Sequence, residues 1–370
     1  MEPREGSGKA TPKGGRDANG PIRVMIIDDS ITVRTVFARM VEADRDLTVA
    51  ATVSNAERAI AKLSSLPVDV ILLDLEMPGM GGLEALPKIL EKAQTAQVLV
   101  VSSLTEDGAE HTMAALSMGA ADTMPKPRPG GFDEGYRAAL LGKIRALGGR
   151  DPAARFAAEP DGGKPTARPV RTHRHKRPEV VAIGASTGGI HALNILLRAL
   201  PRSFDLPILV TQHLPAAFIP VFARQLELVS ARKTVIAEDG AEIGTGEIML
   251  ASGIGHMIVE RRTAALVTAI SSAPAPSGCR PSVDPMLESL ADAVDGHALA
   301  VILSGMGRDG VIGAARLVER GGTVLAQDKD SSAVWGMPGA VAKAGLASVI
   351  QPPEQLVQSI LAETGVDAWK

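Results

Sequence analysis

The sequence predicts an α/β protein with two domains, the first on a doubly wound parallel β-sheet and the second on an α/β sheet with a local antiparallel section. From residue 22 onwards, short continuous apolar runs alternate with segments of helical period, which is typical of βαβ units. The alternation stops once, between residues 148 and 178, where Gly, Pro, Ala and Arg dominate. A length of 370 residues leaves room for two hydrophobic cores.

Composition divides the chain into four segments. Residues 1–21 contain Gly, Lys, Arg and Pro with almost no apolar side chains, so we expect a disordered tail there. Residues 22–147 are the first predicted domain, and residues 179–370 are the second. The segment between them, 148–178, includes the basic run H-R-H-K-R and has the composition of a flexible linker.

Strands and helices of the first domain follow from its hydrophobic pattern. The run R-V-M-I-I-D-D predicts a buried strand, and the segment T-V-R-T-V-F-A-R-M-V-E-A after it has helical period. Two further apolar runs, at residues 68–74 and 97–103, predict more buried strands. We expect the last helix of this domain from Tyr136 to about Leu147.

The second domain resumes the same alternation at Val180. Its predicted strands are V-V-A-I-G, P-I-L-V-T-Q, T-V-I-A, E-I-M-L-A, H-M-I-V-E, L-A-V-I-L-S and G-T-V-L-A-Q. The stretch from Lys233 to Ile270 has short strands and few helical residues, so we expect the antiparallel section there. A helix is predicted from about Gly189 to Leu200.

Composition also narrows the classes of function and location. A net charge of −3 and 2% aromatic residues argue against a nucleic-acid-binding protein. No apolar stretch approaches the roughly 20 residues of a membrane span, and residues 1–10 lack the apolar core of a secretory signal. The single cysteine, Cys279, rules out an internal disulfide framework. We therefore expect a cytoplasmic protein without membrane insertion.

An acidic site is predicted at one edge of the first sheet. Asp28 and Asp29 follow the first strand and Asp74 ends another, so their carboxylates meet where parallel strands end. Clustered carboxylates repel one another unless a cation is present, and Mg²⁺ is the expected ion. Ser102 and Lys126 add a hydroxyl and an ammonium group at the same edge. The alternative is that these are ordinary polar residues at strand ends.

A second set of strand ends carries Ser186, His213 and Asp309, the residue types of a hydrolytic triad. Ser186 lies in G-A-S-T-G, a glycine-rich turn before a helix that can support an oxyanion. His213 would accept the serine proton, and Asp309 would orient the imidazole. Each residue also has an alternative: a phosphate-binding turn, a capping or core histidine, and a cap of the helix near Gly310. The order Ser, His, Asp disfavours the α/β-hydrolase fold.

The motifs D-D-S, D-L-E-M-P-G-M, V-S-S-L-T and K-P in the first domain resemble the response-regulator receiver family, whose fold is flavodoxin-like. By this resemblance Asp74 is the phosphoacceptor, Asp28 and Asp29 hold Mg²⁺ with it, and Ser102 and Lys126 respond to the phosphorylated state. A sensor histidine kinase is the implied phosphodonor. The sequence departs from the family at Gly81, where an aspartate is usual, and this should affect loop rigidity more than chemistry.

The second domain resembles the chemotaxis protein-glutamate methylesterase family, and its fold is expected to be Rossmann-like. The resemblance covers about residues 180–360 and rests on I-G-A-S-T-G-G, Q-H-L-P, R-P-S-V-D, G-M-G-R-D-G and W-G-M-P. It implies a serine hydrolase that demethylates glutamyl methyl esters on chemoreceptor cytoplasmic helices, releases methanol, and deamidates receptor glutamines. No cofactor is expected for this chemistry. Thr187 and the Met306 backbone would line the oxyanion region, and Arg280 would contact the acidic receptor.

Some residues and readings stay open at the level of sequence. Cys279 stands where the family usually has a histidine, and no motif pairs it with a base, so we expect a small loop residue and not a nucleophile. His191 and His256 are expected on the surface or in packing. A competing reading is a module that binds a receptor or kinase and competes for phosphoryl groups with little hydrolysis. Another is the same chemistry on receptors that control something other than motility.

Overall fold

The computed structural model of the chain describes residues 20–149 and 176–366, without residues 94, 104, 128–130 and 264. Almost all of the expected tail (1–21) and linker (148–178) therefore lies outside the described residues. The described part contains an N-terminal α/β unit and a C-terminal α/β unit, each with its own parallel sheet. The predicted fold class is confirmed.

Five parallel strands form the N-terminal sheet in the order β2-β1-β3-β4-β5. They are β1 (Ile22–Ile27), β2 (Leu47–Val53), β3 (Val70–Asp74), β4 (Gln97–Ser102) and β5 (Asp122–Pro125). Every residue of β3 is buried, because helices cover both faces of the sheet. This is the doubly wound, flavodoxin-like order.

Helices of the N-terminal unit begin at residues whose side chains accept hydrogen bonds from the first helical turn. They are α1 (Ile31–Glu42), α2 (Ala56–Leu63), α3 (Gly82–Ala93), α4 (Glu106–Met118) and α5 (Glu134–Leu147). Ser30, Asn55, Thr105 and Asp133 cap α1, α2, α4 and α5 in this way. These caps fix where each helix leaves the sheet edge.

Seven strands form the C-terminal sheet in the order β14-β13-β12-β6-β7-β9-β8, and each neighbouring pair is parallel. The strands are β6 (Val180–Ala185), β7 (Ile208–Gln212), β8 (Thr234–Ile236), β9 (Ile248–Leu250), β12 (Ala298–Ile302), β13 (Thr323–Gln327) and β14 (Val349–Gln351). The central strand β6 is buried along its whole length. Its carboxyl end therefore places a side chain in the middle of the sheet edge.

The antiparallel section is shorter than the sequence predicts. It consists of β10 (His256–Arg262) and β11 (Ala265–Ser271), which pair with each other. The strands β8 and β9 also lie within the stretch from Lys233 to Ile270, but they join the main parallel sheet. Short length alone is a poor guide to strand direction, because both kinds of pairing tolerate strands this short.

Helices of the C-terminal unit pack on both faces of its sheet. They are α6 (Gly189–Ala199), α7 (Ile219–Ser230), α8 (Val283–Ala293), α9 (Val311–Glu319), α10 (Met337–Lys343) and α11 (Pro353–Thr364). α6 buries seven of its residues, including Leu193, Leu196 and Leu197, and so holds its first turn firmly beside the end of β6. Among the described residues, no helix is long and apolar enough to cross a membrane.

Candidate functional site

Ser186, His213 and Asp309 lie together at the carboxyl edge of the C-terminal sheet. Ser186 follows β6 and His213 follows the neighbouring strand β7, so adjacent strands deliver both side chains. His213 Nδ1 lies 3.1 Å from Ser186 Oγ, and His213 Nε2 lies 2.7 Å from Asp309 Oδ2. The imidazole therefore bridges the hydroxyl and the carboxylate, with Nδ1 toward the serine.

Asp309 is held in place by the start of α8 as well as by His213. Ser282 Oγ donates to Asp309 Oδ1 at 2.7 Å, and the Val283 backbone N–H donates to Oδ2 at 2.7 Å. Burial alone would raise the pKa of Asp309, but His213 and these donors hold it well below its usual value. Asp309 Oδ1 also accepts from the Gly310 backbone N–H at 3.1 Å, so the alternative contact with the start of α9 accompanies the bond to His213.

The surroundings of His213 favour the charged form of its ring. Burial disfavours its charged form, but hydrogen bonding to Asp309 and the proximity of Cys279 outweigh burial and raise its pKa to about 9. The side chain is 14% exposed, so the ring still reaches the cleft.

The turn around Ser186 needs its glycines for close packing. Gly188 has a positive φ of 77°, and a Cβ there would lie 2.5 Å from Ala333 Cβ. A Cβ on Gly184 would lie 2.5 Å from a Val283 methyl group. The Gln212 side chain donates to the Ser186 carbonyl at 3.0 Å. The alternative of a phosphate-binding turn is disfavoured, because the N–H groups of Gly188 and Gly189 already bond to carbonyls.

The three residues expected beside the triad have different surroundings. Thr187 is buried, and its hydroxyl donates to Asp122 Oδ2 of the N-terminal unit at 2.5 Å. Met306 is 40% exposed. Arg280 is exposed, and its Nη2 donates to the Ser272 carbonyl at 3.1 Å. Met306 and Arg280 are thus accessible from solvent, whereas Thr187 faces the neighbouring unit.

Cys279 lies on a loop close to two residues of the triad, a proximity that no sequence motif indicates. Its Sγ, a ring nitrogen of His213 and a carboxylate oxygen of Asp309 all lie within 4.8 Å of one another. The loop between β11 and α8 brings the thiol there. Sequence spacing cannot reveal this proximity, because a loop of this length has no regular geometry.

Asp284 and His256 are two further residues whose surroundings the sequence analysis does not anticipate. Asp284 is buried, accepts from the Gly313 N–H at 2.9 Å, and lies beside Asp309. Burial and the neighbouring carboxylate raise its pKa. His256 was expected on the surface or in packing; it is buried, and its Nδ1 accepts from the Ser282 N–H at 2.9 Å. Both residues support the loop that holds Asp309.

The acidic site lies at the carboxyl edge of the N-terminal sheet, as the strand ends suggest. Lys126 Nζ lies 2.5 Å from Asp74 Oδ2 and 3.7 Å from Asp28 Oδ2. Burial raises the pKa of Asp74 to about 6, although Lys126 and the Glu76 N–H oppose this. Burial also raises the pKa of Asp28. Two buried carboxylates with one lysine therefore lack a full complement of positive charge.

A hard divalent cation would supply the positive charge that the acidic site lacks. One oxygen each from Asp28, Asp29 and Asp74 lie within 4.8 Å of one another. Asp28 Oδ2 is buried and has no hydrogen-bond partner. An unsatisfied buried carboxylate oxygen is costly, and oxygen donors are the ligands that Mg²⁺ prefers. The residues present therefore suit such an ion.

Ser102 and Gly81 are the two other residues that the sequence singles out near this edge. Ser102 is fully buried, and its Oγ lies 2.5 Å from Thr112 Oγ1 on α4, so its hydroxyl points to that helix and not to Asp74. A Cβ on Gly81 would be 3.6 Å from the Leu75 carbonyl, which is ordinary contact. Packing therefore does not require a glycine at position 81.

The two units meet through α4 and the start of β5. Besides the bond between Thr187 and Asp122, the Gly188 N–H donates to the Ala121 carbonyl at 2.5 Å. His191 Nδ1, on an exposed residue of α6, lies 3.2 Å from the Ser117 carbonyl on α4. The N-terminal unit therefore contacts the residues immediately after Ser186.

Comparisons with known proteins agree with both resemblances. A family model described as response regulator receiver domain matches residues 24–131, and one described as CheB methylesterase matches residues 181–360. The chain is 40% identical to protein-glutamate methylesterase/protein-glutamine glutaminase 1 of Paramagnetospirillum magneticum, over 93% of this chain and 96% of that protein. It is also 40% identical to the protein of the same name from Rhodospirillum rubrum, over 92% and 95%.

Among solved structures, the CheB methylesterase catalytic domain of Thermotoga maritima is 34% identical to this chain, with a TM-score of 0.49. The match covers 50% of this chain and 98% of the Thermotoga chain. The matches to the two full-length relatives extend over both units and the segment between them. The chain belongs to the protein-glutamate methylesterase/protein-glutamine glutaminase family, with a receiver domain preceding the CheB methylesterase domain.

Proposed function

We propose that this chain is a phosphorylation-regulated serine hydrolase that demethylates glutamyl methyl esters on chemoreceptor cytoplasmic helices and deamidates specific receptor glutamines. The observation that carries the proposal is the continuous hydrogen-bonded set Ser186, His213 and Asp309 at one sheet edge. The relatives' names give the same two activities. Such a protein acts in adaptation within a chemotaxis-like two-component pathway in the cytoplasm.

The proposed ester reaction uses the triad in two steps. Ser186 Oγ attacks the ester carbonyl while His213 Nδ1 takes its proton, and Asp309 stabilises the resulting imidazolium. The carbon–oxygen bond to methoxide then breaks, and His213 returns the proton so that methanol leaves. Water hydrolyses the acyl-serine by the same base and frees the glutamate. With a glutamine substrate the leaving group is ammonia.

The tetrahedral oxyanion needs N–H donors near Ser186 that are not already bonded to carbonyls, as those of Gly188 and Gly189 are. The buried α6 directs the positive end of its dipole toward Ser186. The backbones of Thr187 and Met306 are the proposed donors. Arg280, which is exposed in the loop before α8, is the proposed contact for acidic receptor helices. No cofactor enters this chemistry.

In the proposed receiver reaction, Asp74 accepts a phosphoryl group from a sensor histidine kinase. Asp28, Asp29 and Asp74 would hold Mg²⁺, which neutralises charge on the transferring group when bound. The unpartnered oxygen of Asp28 supports this assignment. Lys126 already touches Asp74 and would pair with the phosphoryl oxygens.

Regulation would pass from Asp74 to Ser186 through α4 and β5. Lys126 follows β5 at the phosphorylation site, and Asp122 begins the same strand at the contact with Thr187. Ser102 bonds to Thr112 on the inner side of α4. When phosphorylation moves Lys126 and Ser102, the contact with the residues after Ser186 loosens and the cleft opens.

Methanol release from methylated receptor tests the proposal, with and without a small phosphodonor. We expect release that rises with the phosphodonor and disappears in Ser186→Ala. The Asp74→Asn variant is the matched control, and it should keep basal release but lose the response to phosphodonor. Full release by Ser186→Ala would refute Ser186 as the nucleophile, whereas no release by the wild type, even with phosphodonor, would favour a binding module that competes for phosphoryl groups.

A further inference from the structure

The Ser/His/Asp site adjoins Cys279, a possible metal ligand that the hydrolytic mechanism does not use. Cys279 Sγ, a ring nitrogen of His213 and a carboxylate oxygen of Asp309 lie within 4.8 Å of one another. These donors come from three separate segments, namely the loop before α8, the end of β7 and the loop before α9. One thiolate, one imidazole and one carboxylate form a ligand set suited to zinc-like ions.

We propose that His213, Cys279 and Asp309 form an inhibitory site for Zn²⁺ or a similar soft divalent ion. Zinc binds sulfur at about 2.3 Å and nitrogen or oxygen at about 2.0–2.2 Å, so its donors lie roughly 3.3–3.8 Å apart. Donors already within 4.8 Å reach such spacings by small side-chain rotations. The site holds three protein ligands, which leaves a fourth position for water or for Ser186 Oγ.

Accessibility and rigidity both favour metal entry at this place. Cys279 is partly exposed and the His213 side chain is 14% exposed, so an ion can arrive from the cleft. The Asp309 side chain is only 1% exposed and is fixed by Ser282 and Val283, which gives the site one rigid wall. A partly exposed thiol on a loop, beside a fixed carboxylate, lets the ligand set close around an ion.

The two candidate metal-binding clusters in the described part of the chain should select different ions. The acidic site of Asp28, Asp29 and Asp74 offers oxygen atoms alone, which suit Mg²⁺. The site at Cys279 offers sulfur and nitrogen, which Mg²⁺ binds poorly and Zn²⁺ or Cd²⁺ bind well. Mg²⁺ needed for phosphorylation should therefore leave the inhibitory site empty.

Metal binding would stop hydrolysis because it uses the same imidazole. A metal ion binds an unprotonated ring nitrogen. On Nδ1 it would occupy the lone pair that should accept the Ser186 proton, and on Nε2 it would replace the bond to Asp309 and leave the ring proton on Nδ1. The inhibition, unlike the binding, rests on the proposed function of His213 as the general base.

Binding can be measured without reference to activity. The chain has one cysteine, so the ultraviolet thiolate-to-metal absorption that Cd²⁺ produces reports Cys279 alone. We expect a saturable signal with one Cd²⁺ per full-length chain. His213→Gln should weaken this binding at least about tenfold, since even loss of an outer partner typically costs that much. His191→Gln, at an exposed histidine outside the cluster, is the control and should bind as the wild type.

Inhibition is measured as methanol release against Zn²⁺ concentration at fixed Mg²⁺, with each variant compared with its own metal-free rate. We expect inhibition that a chelator reverses and an inhibition constant at least about tenfold higher in Cys279→Ser. No saturable Cd²⁺ signal, or equal Cd²⁺ affinity in His213→Gln, would overturn the metal site. A Cd²⁺ signal that depends on His213, without inhibition by Zn²⁺, would keep the metal site and overturn the role of His213 as base.

Discussion

The contact between Asp122 and Thr187 gives the sharpest test of how the receiver restrains the esterase. Asp122 Oδ2 accepts from the Thr187 hydroxyl across the contact, while its bond to Lys143 lies within the receiver. We predict that Asp122→Ala raises methanol release in the absence of phosphodonor. The substitution removes the bond to Lys143 whether the receiver covers the esterase cleft or not. Its loss therefore does not shift the balance between the closed and the open protein.

The size of the effect follows from the kind of bond that is removed. A hydrogen bond to a charged group contributes about 1.5–3 kcal/mol, which corresponds to roughly 10- to 150-fold in the ratio of closed to open protein. Basal release should rise by at most this factor, and less if the open form is already populated. Release with saturating phosphodonor should be unchanged, because phosphorylation opens the cleft by itself.

The matched control is another charged residue at the same contact. Glu110 pairs with Arg224, but the two side chains are 57% and 54% exposed. Such a pair contributes about 0–1 kcal/mol, so Glu110→Ala should raise basal release no more than about fivefold. Basal release in Asp122→Ala that equals the wild type, in a protein that still accepts phosphate, would refute the proposed restraint.

Three further predictions concern the charged side chains of the two sites. Asp309→Asn should lower methanol release by on the order of 10³–10⁴-fold with little change in secondary structure, because an amide can force the wrong tautomer of His213; a loss below tenfold in steady-state assays would contradict this. Burial raises the pKa of Asp74 from 3.8 to about 6. The stability that this carboxyl contributes to the wild type is therefore fully present below pH 3.8 and is lost as the pH rises through 6. In Mg²⁺-free denaturant titrations, Asp74→Asn should therefore gain up to about 3 kcal/mol relative to wild type at pH 8 and nothing at pH 3, and a pH-independent difference would contradict it. Cys279 helps to raise the pKa of His213 to about 9, so Cys279→Ser should move the rising limb of the pH–rate profile to lower pH, whereas an unmoved limb would show that the thiol does not act on the ring.

The positions of the main side chains could be predicted from sequence because they lie at strand ends. Asp28, Asp74, Ser186 and His213 all follow or end short apolar runs, and parallel strands deliver such residues to one edge. The strand β2 is absent from the predicted elements because it is an edge strand of Ala, Thr and Val with a half-buried pattern. Its run is therefore neither continuously apolar nor cleanly alternating.

Contacts that depend on loops or on two units together could not be predicted. Cys279 reaches His213 only through the path of the loop before α8, and that path is set by packing and not by a local pattern. Asp122 looks like an ordinary polar residue at the start of a strand until Thr187 is placed against it. Asp284 has a conventional first-turn position in α8, and only the fold shows that it is buried beside Asp309.

The shortness of β5 limits how this receiver could be exchanged for another. Four residues, Asp122–Pro125, separate Lys126 from the Ala121 carbonyl that meets Gly188. Side chains alternate between the two faces of a strand, so deletion of one residue here would turn the carboxylate of Asp122 to the opposite face. A chimaera with a foreign receiver should therefore fold and accept phosphate, yet transmit nothing unless its fifth strand has the same number of residues. Insertions and deletions in this strand should be selected against even where substitutions are tolerated.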